Sequence, residues 1–188
     1  MLRSTIVLLA AALLASSASA APKHPPHQRA PKPTAPHAAA HGPSAQSVAI
    51  DAGDPAAMMD ILEGAGAKAK STPKPPDGVM LTVTSTLADF SVQFAQCDPQ
   101  GRRCKAALFD FEAGGSPSLV QINGFNQASA MCRGYMDKSG KAHVLMSTLL
   151  FGDDTRQHLV TELGAWQGCI AEFSHFARDP VAYLANAP

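Results

Sequence analysis

The middle of the chain carries the alternating apolar and polar pattern of half-buried β-strands. Phe90, Val92 and Phe94 fall on one face of such a strand, with small or polar residues between them. The stretches before and after it repeat the period of two, which indicates neighbouring strands that each bury one face. The three predicted strands cover residues 79–85, 90–96 and 105–111.

A short helix is predicted ahead of these strands. Asp54 is typical of a helix N-cap and Pro55 of a first turn, and apolar residues then recur at helical spacing. Its apolar face consists of Met58, Ile61, Leu62 and Ala65. A short strand near residues 67–70 and a Pro-rich turn over 72–78 are expected to connect the helix to the sheet.

A second helix and a second hairpin follow. Ser116 is the predicted helix cap, Pro117 lies in the first turn, and the helix is expected to run to about Ala130. Its apolar edge consists of Leu119, Ile122 and Phe125. The predicted hairpin consists of strands 132–137 and 142–151 around the turn Lys138-Ser139-Gly140.

A long amphipathic helix is predicted from Asp154 to Phe176. Its apolar residues recur every three or four positions and form a stripe that suits packing on a sheet. The stripe consists of Leu159, Leu163, Trp166, Ile170 and Phe173. The element order predicts an α+β fold in which an antiparallel sheet of about five to six strands packs against helices.

The last predicted strand is apolar on both faces. Val144, Met146 and Leu150 lie on one face, and Leu145 and Leu149 lie on the other. One helical layer covers only one face of a sheet, so the other face requires a second layer. We expect that layer to come from the first helix or from a second copy of the chain, in a homodimer.

Residues 1–20 have the pattern of a secretory signal peptide. Arg3 precedes an apolar run over 6–14, and Ala18-Ser19-Ala20 provides the small residues of a cleavage site. We therefore expect a periplasmic or secreted protein, cleaved near Ala20. No later stretch approaches the roughly 20 apolar residues of a membrane-spanning helix, so we expect no membrane span in the mature chain.

Residues 21–47 consist largely of Pro, Ala and His, and they contain almost no large apolar side chain. Such a composition buries too little surface to offset the entropy of ordering, so a disordered linker is predicted. The folded domain is then expected over 48–188. One alternative function is metal binding by the linker, although histidines scattered among prolines lack a fixed coordination geometry. The linker histidines are His24, His27, His37 and His41.

The charges of the chain balance, with 15 Lys and Arg against 15 Asp and Glu. Duplex nucleic acids are bound by clustered basic residues, so this composition argues against a nucleic-acid partner. The chain also shows no zinc hydrolase signature, nucleophile elbow, phosphate loop or dinucleotide fingerprint. We predict neither a catalytic residue nor a cofactor.

Cys97 and Cys104 enclose a polar loop between two predicted strands. A disulfide there would clamp the hairpin and add roughly 2.5 kcal/mol in the loop-entropy description. Arg102 and Arg103 at the hairpin tip are expected to be exposed and to meet an acidic partner. The enzymatic alternative is a thiol-disulfide or redox-sensing protein that uses these cysteines, although they lack the close spacing of exchange motifs.

The other two cysteines, Cys132 and Cys169, would join a strand to the core-facing side of the last helix. Such a bond would close a long loop worth about 4 kcal/mol. Four cysteines allow three connectivities, of which we favour this pair with the local one. Two buried free thiols are the alternative for Cys132 and Cys169.

The predicted element order and several short motifs resemble the YbjN family of bacterial proteins, whose fold is like that of type III secretion chaperones. The resemblance covers roughly Asp54 to Phe176. The matching motifs are Ile122-Asn123-Gly124-Phe125-Asn126, Arg133-Gly134-Tyr135, Lys138-Ser139-Gly140 and Trp166. The chain departs from the family at Phe125, where Trp is frequent, and at Gln127 and Ala128, where basic residues are frequent.

The resemblance implies a non-enzymatic binding or chaperone-like domain without catalytic residues. We expect it to engage an unknown protein or peptide through its sheet or through the groove beside the final helix. Asn123, Asn126 and Trp166 join the two arginines as candidate partner-binding residues. Asn123 and Asn126 lie three positions apart on one helical face, and we favour structural hydrogen bonds for them over ligand binding.

Overall fold

Six antiparallel strands and four helices are present in the part of the chain that the structure describes. The computed structural model describes residues 50–187. The predicted signal peptide and linker lie outside the described residues, as do the linker histidines. The strands are β1 (Lys68–Lys74), β2 (Gly78–Thr84), β3 (Phe90–Ala95), β4 (Ala106–Glu112), β5 (Arg133–Met136) and β6 (Ala142–Leu149). The helices are α1 (Pro55–Gly64), α2 (Leu119–Ala128), α3 (Arg156–Arg178) and α4 (Pro180–Asn186).

All strands form one sheet in the order β1-β2-β3-β4-β6-β5. Each neighbouring pair is antiparallel, as in the β3–β4 hairpin, where Ala95 lies opposite Ala106. The α+β fold class predicted from the sequence is confirmed. Both predicted hairpins are present, and the bounds of β2, β3 and β4 lie within one residue of the predicted ones.

The core lies between one face of the sheet and the helices. Trp166 and Phe173 of α3 are fully buried in the same core as Phe109 and Val144 of the sheet. They lie seven residues apart, which places both on the apolar face of the helix. Met58 of α1 belongs to the same core. No helix among residues 50–187 is both long enough and apolar enough to cross a membrane.

The outer face of the sheet is not covered by α1, because α1 contacts α3, β1 and β2 and buries its apolar side chains in the same core. That part of the expectation is wrong. Leu145 on the outer face of β6 is half-buried, and Leu149 is 63% exposed. The homodimer stays a prediction.

Two predicted boundaries are wrong. β1 runs from Lys68 to Lys74 through the region predicted as a turn, and it contains Pro73 because an edge strand tolerates proline. Helix α2 is capped by Ser118 rather than Ser116, since Ser118 and Gln121 form a reciprocal capping box.

Two smaller expectations of buried faces also fail. Leu119 is the first residue of α2 and 66% exposed, so it does not belong to the apolar edge of the helix. Ala65 is the exposed C-cap of α1. In both cases the residue lies at the end of its helix, where the side chain is not held against the sheet.

Helix α4 was not predicted. Asp179 and Pro180 end α3, and they also begin α4, with the Asp179 carboxylate accepting a hydrogen bond from Ala182 N at 3.0 Å. Proline in a first turn is compatible with a new helix start. The short helix packs on α2 and α3 and places Tyr183 next to Phe125 and Phe176.

Candidate functional site

An apolar groove of about 480 Å³ lies beside α3. We call it the α3 groove. Its walls are the end of α1, the turn between β2 and β3, and one face of the first half of α3. Its lining residues on α3 are Arg156, Val160, Leu163, Gly164, Trp166 and Gln167. Those on the opposite walls include Ile61, Leu62, Gly64, Leu87 and Phe90.

The turn between β2 and β3 is held by its own hydrogen bonds. The Ser85 hydroxyl accepts from Leu87 N at 3.3 Å and from Ala88 N at 3.2 Å, and it donates to Ala88 O at 2.7 Å. Local bonds of this kind are typical of Ser in turns. The turn leaves the Leu87 side chain at the rim of the groove, 56% exposed.

The α3 wall combines an exposed apolar side chain with open space. Val160 is 41% exposed. One turn further along, a β-carbon on Gly164 would meet no atom within 4 Å. Glycine inside a helix costs roughly 0.5–1 kcal/mol relative to Ala. Because a larger residue would fit at position 164, packing within the domain does not require glycine there. The missing side chain keeps this part of the groove free.

Trp166 is the only tryptophan of the chain and lines the α3 groove from below. Its ring packs against Phe90 and Phe109, with centroid separations of 5.8 and 5.5 Å. The indole Nε1 is buried and has no hydrogen-bond partner among the described residues. An unsatisfied buried donor costs roughly 1–3 kcal/mol.

Arg102 and Arg103 lie elsewhere, at the exposed tip of the cysteine loop, and neither lines the α3 groove. The Asp98 carboxylate accepts from Arg102 N at 2.8 Å and pairs with Arg103 Nε at 2.9 Å. The backbone N–H of Arg102 and the Arg103 side chain hold the pKa of Asp98 below its usual range. Arg102 also lines a second cleft of about 520 Å³, between this loop, α1 and the β1–β2 turn.

Asn126 has a structural contact. Its side-chain amide accepts from Gly134 N at 2.6 Å and donates to Gly134 O at 3.0 Å. These are the backbone groups on the free edge of β5, so the amide takes the position of a neighbouring strand. The preference for structural bonding agrees with this geometry. Asn123 is exposed on α2.

The four cysteines lie in two pairs at disulfide-bonding distance, Cys97 with Cys104 and Cys132 with Cys169. This is the favoured connectivity. Cys97 is half-buried, and the other three side chains are buried. Beside the second pair, Tyr183 donates a hydrogen bond to Glu172 at 2.6 Å, and burial together with this bond raises the pKa of Tyr183 to about 12.

A polar network on the outer face of the sheet was missed. Asp110 accepts from Tyr135 Oη at 2.6 Å and contacts His143 Nδ1 at 2.9 Å. The Tyr135 and His143 rings stack with centroids 5.0 Å apart. Burial and the bond to Asp110 raise the pKa of Tyr135. The strand pattern of the sequence does not reveal that β4 pairs with β6, and only this pairing brings Asp110 next to His143.

His143 Nε2 lies 3.7 Å from Asp137 Oδ2 and, like the Trp166 nitrogen, is buried without a hydrogen-bond partner within residues 50–187. The network joins β4, β5 and β6 and stabilises the strand order at this end of the sheet.

Comparisons with protein-family models, with curated proteins and with solved structures found no match. The resemblance to the YbjN family stays a prediction from the sequence motifs.

Proposed function

We propose that this chain is a non-enzymatic, chaperone-like binding domain that holds a protein or peptide partner in the α3 groove. The observation that carries the proposal is the unpartnered Nε1 of Trp166 beneath a rim that exposes Leu87 and Val160. Exposed apolar side chains around a concave surface are typical of partner-binding sites. A buried donor without a partner gains a hydrogen bond when a ligand brings an acceptor.

The groove is a better docking site than either edge of the sheet. The β1 edge carries Pro73 and three lysines, which discourage the addition of another strand. On the β5 edge, the N–H and C=O of Gly134 face away from the sheet, but both are already hydrogen-bonded to the Asn126 side chain. The three lysines of β1 are Lys68, Lys70 and Lys74.

The proposal includes export, with cleavage near Ala20 and a periplasmic or secreted location. Support comes from the signal-like residues 1–20 and from the two cysteine pairs at bonding distance. Disulfides persist in oxidising compartments outside the cytoplasm. The membership of the YbjN family belongs to the same proposal, on the motifs given above.

A homodimer through the outer face of the sheet is also part of the proposal. The 63% exposure of Leu149 supports it, together with the half-buried Leu145 on the same face of β6. Ala106 on β4 and Ala95 on β3 lie opposite one another in the same row as Leu149, so this row consists of apolar side chains.

Site-specific photo-crosslinking of the full chain in cells tests the groove. A photoreactive amino acid at Leu87 or Val160 is expected to capture the partner. The same amino acid at Val181, which is exposed on α4 outside the groove, is expected not to. Equal capture at all three positions, or none at Leu87 and Val160, would contradict the proposal.

A pair of matched variants separates the groove from the helix that carries it. Gly164→Phe places a ring in the groove, where a β-carbon has open space, and we expect at least about tenfold less crosslinked partner. Gly168→Phe adds the same ring on the same helix outside the groove, also in open space, and is the control. If both variants retain the partner, the groove is not its site.

The two alternatives make different predictions. A thiol-disulfide protein requires an accessible sulfur; Cys104 is buried and Cys97 is half-buried, so exchange would have to take place at Cys97. A measured reduction potential below about −300 mV would mark a structural bond, and a higher one an exchanger. Metal binding rests on the linker, since residues 50–187 contain no group of three potential ligands. Calorimetry with zinc and copper, with and without residues 21–47, tests that alternative.

A further inference from the structure

The α3 groove has a charged end. Arg156 is the only charged residue among those that line it, and it lies at the first position of α3. Its guanidinium reaches towards the end of α1, where a β-carbon on Gly64 would be 3.7 Å from Nη2. Within residues 50–187 no carboxylate lies within ion-pair distance of Arg156. This end of the groove therefore favours an anionic group.

At the other end the groove is lined by Trp166, whose buried indole nitrogen has no hydrogen-bond partner among residues 50–187. A tryptophan N–H is a donor only, so it requires an acceptor. The interior carbonyls of a helix are already bonded within that helix, whereas those of an extended segment are free. Because Nε1 is closed off from solvent, the acceptor reaches it only when side chains of the groove wall move aside.

The distance between these two ends determines the length of the ligand that can reach both. Arg156 and Trp166 are ten residues apart on one helix, which corresponds to about 15 Å along its axis. An extended chain covers that distance in about five residues. Between the two ends the walls are apolar, with Val160 and Leu163 on α3 and Leu87 opposite them.

We infer that the groove takes an extended apolar peptide segment of about five residues, with a carboxylate at the Arg156 end and a backbone carbonyl at Trp166 Nε1. This inference rests on the proposed function and specifies the chemistry of its partner. The carboxylate belongs to a chain terminus or to an acidic side chain.

Four synthetic peptides test the inference on the full chain. All are acetylated hexapeptides of Leu, Val and Ala. The first ends in a free carboxylate, the second is amidated, the third is amidated with Asp at the last position, and the fourth is amidated with Lys there. Binding is measured by calorimetry, and the fluorescence of Trp166, the only tryptophan of the chain, is recorded alongside it. We expect the two carboxylate peptides to bind about two- to fivefold more tightly than the amidated one.

Two variants assign the effect to Arg156. Arg156→Gln is expected to remove the preference for a carboxylate and to leave the affinity for the amidated peptide unchanged. Arg156→Lys is expected to retain part of the preference. Gly164→Phe is expected to prevent binding of every peptide, which places them in the groove.

The outcomes separate the inference from the proposed function. Equal affinity of the carboxylate and amidated peptides, or a preference that persists in Arg156→Gln, would overturn the inference and leave the groove as the binding site. Binding that changes no tryptophan fluorescence would overturn the contact with Nε1. If no peptide binds, the inference fails, while the crosslinking at Leu87 and Val160 still decides the proposed function.

Discussion

The two sides of the sheet each hold one buried nitrogen without a hydrogen-bond partner in the described part of the chain, and the two nitrogens differ in what would satisfy them. Nε1 of Trp166, on the helix side, is a permanent donor among apolar side chains. Nε2 of His143, on the outer side, lies 3.7 Å from the Asp137 carboxylate. The first has no hydrogen-bond acceptor among residues 50–187, whereas the second has a carboxylate nearby.

The difference separates the proposed binding surface from a structural one. Around His143, the polar side chains bond to one another and hold three strands together. Around Trp166, exposed Leu87 and Val160 border a groove that the domain itself leaves open. Substitutions in satisfied polar contacts should therefore lower the free energy of unfolding without affecting the partner.

The largest effect on stability is expected from Asn126→Ala. This change leaves the N–H and C=O of Gly134 without their partner, and unsatisfied buried groups cost roughly 1–3 kcal/mol. Urea unfolding followed by tryptophan fluorescence measures the loss. Asn123→Ala, three residues earlier on the exposed side of the same helix, is the control and should change stability by less than about 0.5 kcal/mol. Equal losses in the two variants would contradict the structural role.

A smaller loss is expected from Tyr135→Phe, about 1 kcal/mol, because the Asp110 carboxylate loses one of its two partners on a partly exposed surface. The partner captured by photo-crosslinking at Val160 should be unchanged. A reduced yield of crosslinked partner would show that the outer network also contributes to binding, and the contrast between the two sides would fail.

Much of this fold could be predicted, because period-two alternation and the apolar stripe of α3 each determine an element on their own. The start of α2 could not be predicted from the sequence. Ser116 before Pro117 and Ser118 three residues before Gln121 both have the pattern of a helix cap. Only the reciprocal bonds between Ser118 and Gln121 decide between them. Asp179-Pro180 is equally compatible with the end of one helix and the start of the next.

The candidate site was predicted only in part, because the α3 groove arises where distant segments meet. The sequence marks Trp166 as a candidate partner-binding residue and predicts a groove beside the final helix. Leu87 and Arg156 have no local pattern that marks them, since they line one groove only when the β2–β3 turn packs beside α3. Exposure and charge mark Arg102 and Arg103 in the sequence, but these two properties do not place them in the groove.

Acid should weaken the outer side through Asp137. The backbone N–H of Lys141 and the Ser139 hydroxyl hold the pKa of Asp137 below its usual value of 3.8. A lowered pKa in the folded state adds stability above the unfolded value, and this stability is lost as the pH falls through the lower folded value. Between about pH 5 and pH 3, the wild-type chain should therefore lose more stability than Asp137→Asn. Unfolding curves at several pH values test this, and parallel losses would contradict it.

The smallest change in stability is expected from Leu149→Lys, and it addresses the proposed homodimer. Leu149 is exposed on the outer face, so the substitution should leave the free energy of unfolding of the monomer within about 0.5 kcal/mol of the wild type. If a second copy covers that face, two buried lysines would prevent the contact. Light scattering would then report a dimer for the wild type and for Val181→Lys, the control on α4, and a monomer for Leu149→Lys. A monomeric wild type would remove the homodimer and leave the α3 groove as the only proposed docking surface, whereas a dimer would make both sides of the sheet binding surfaces of different kinds.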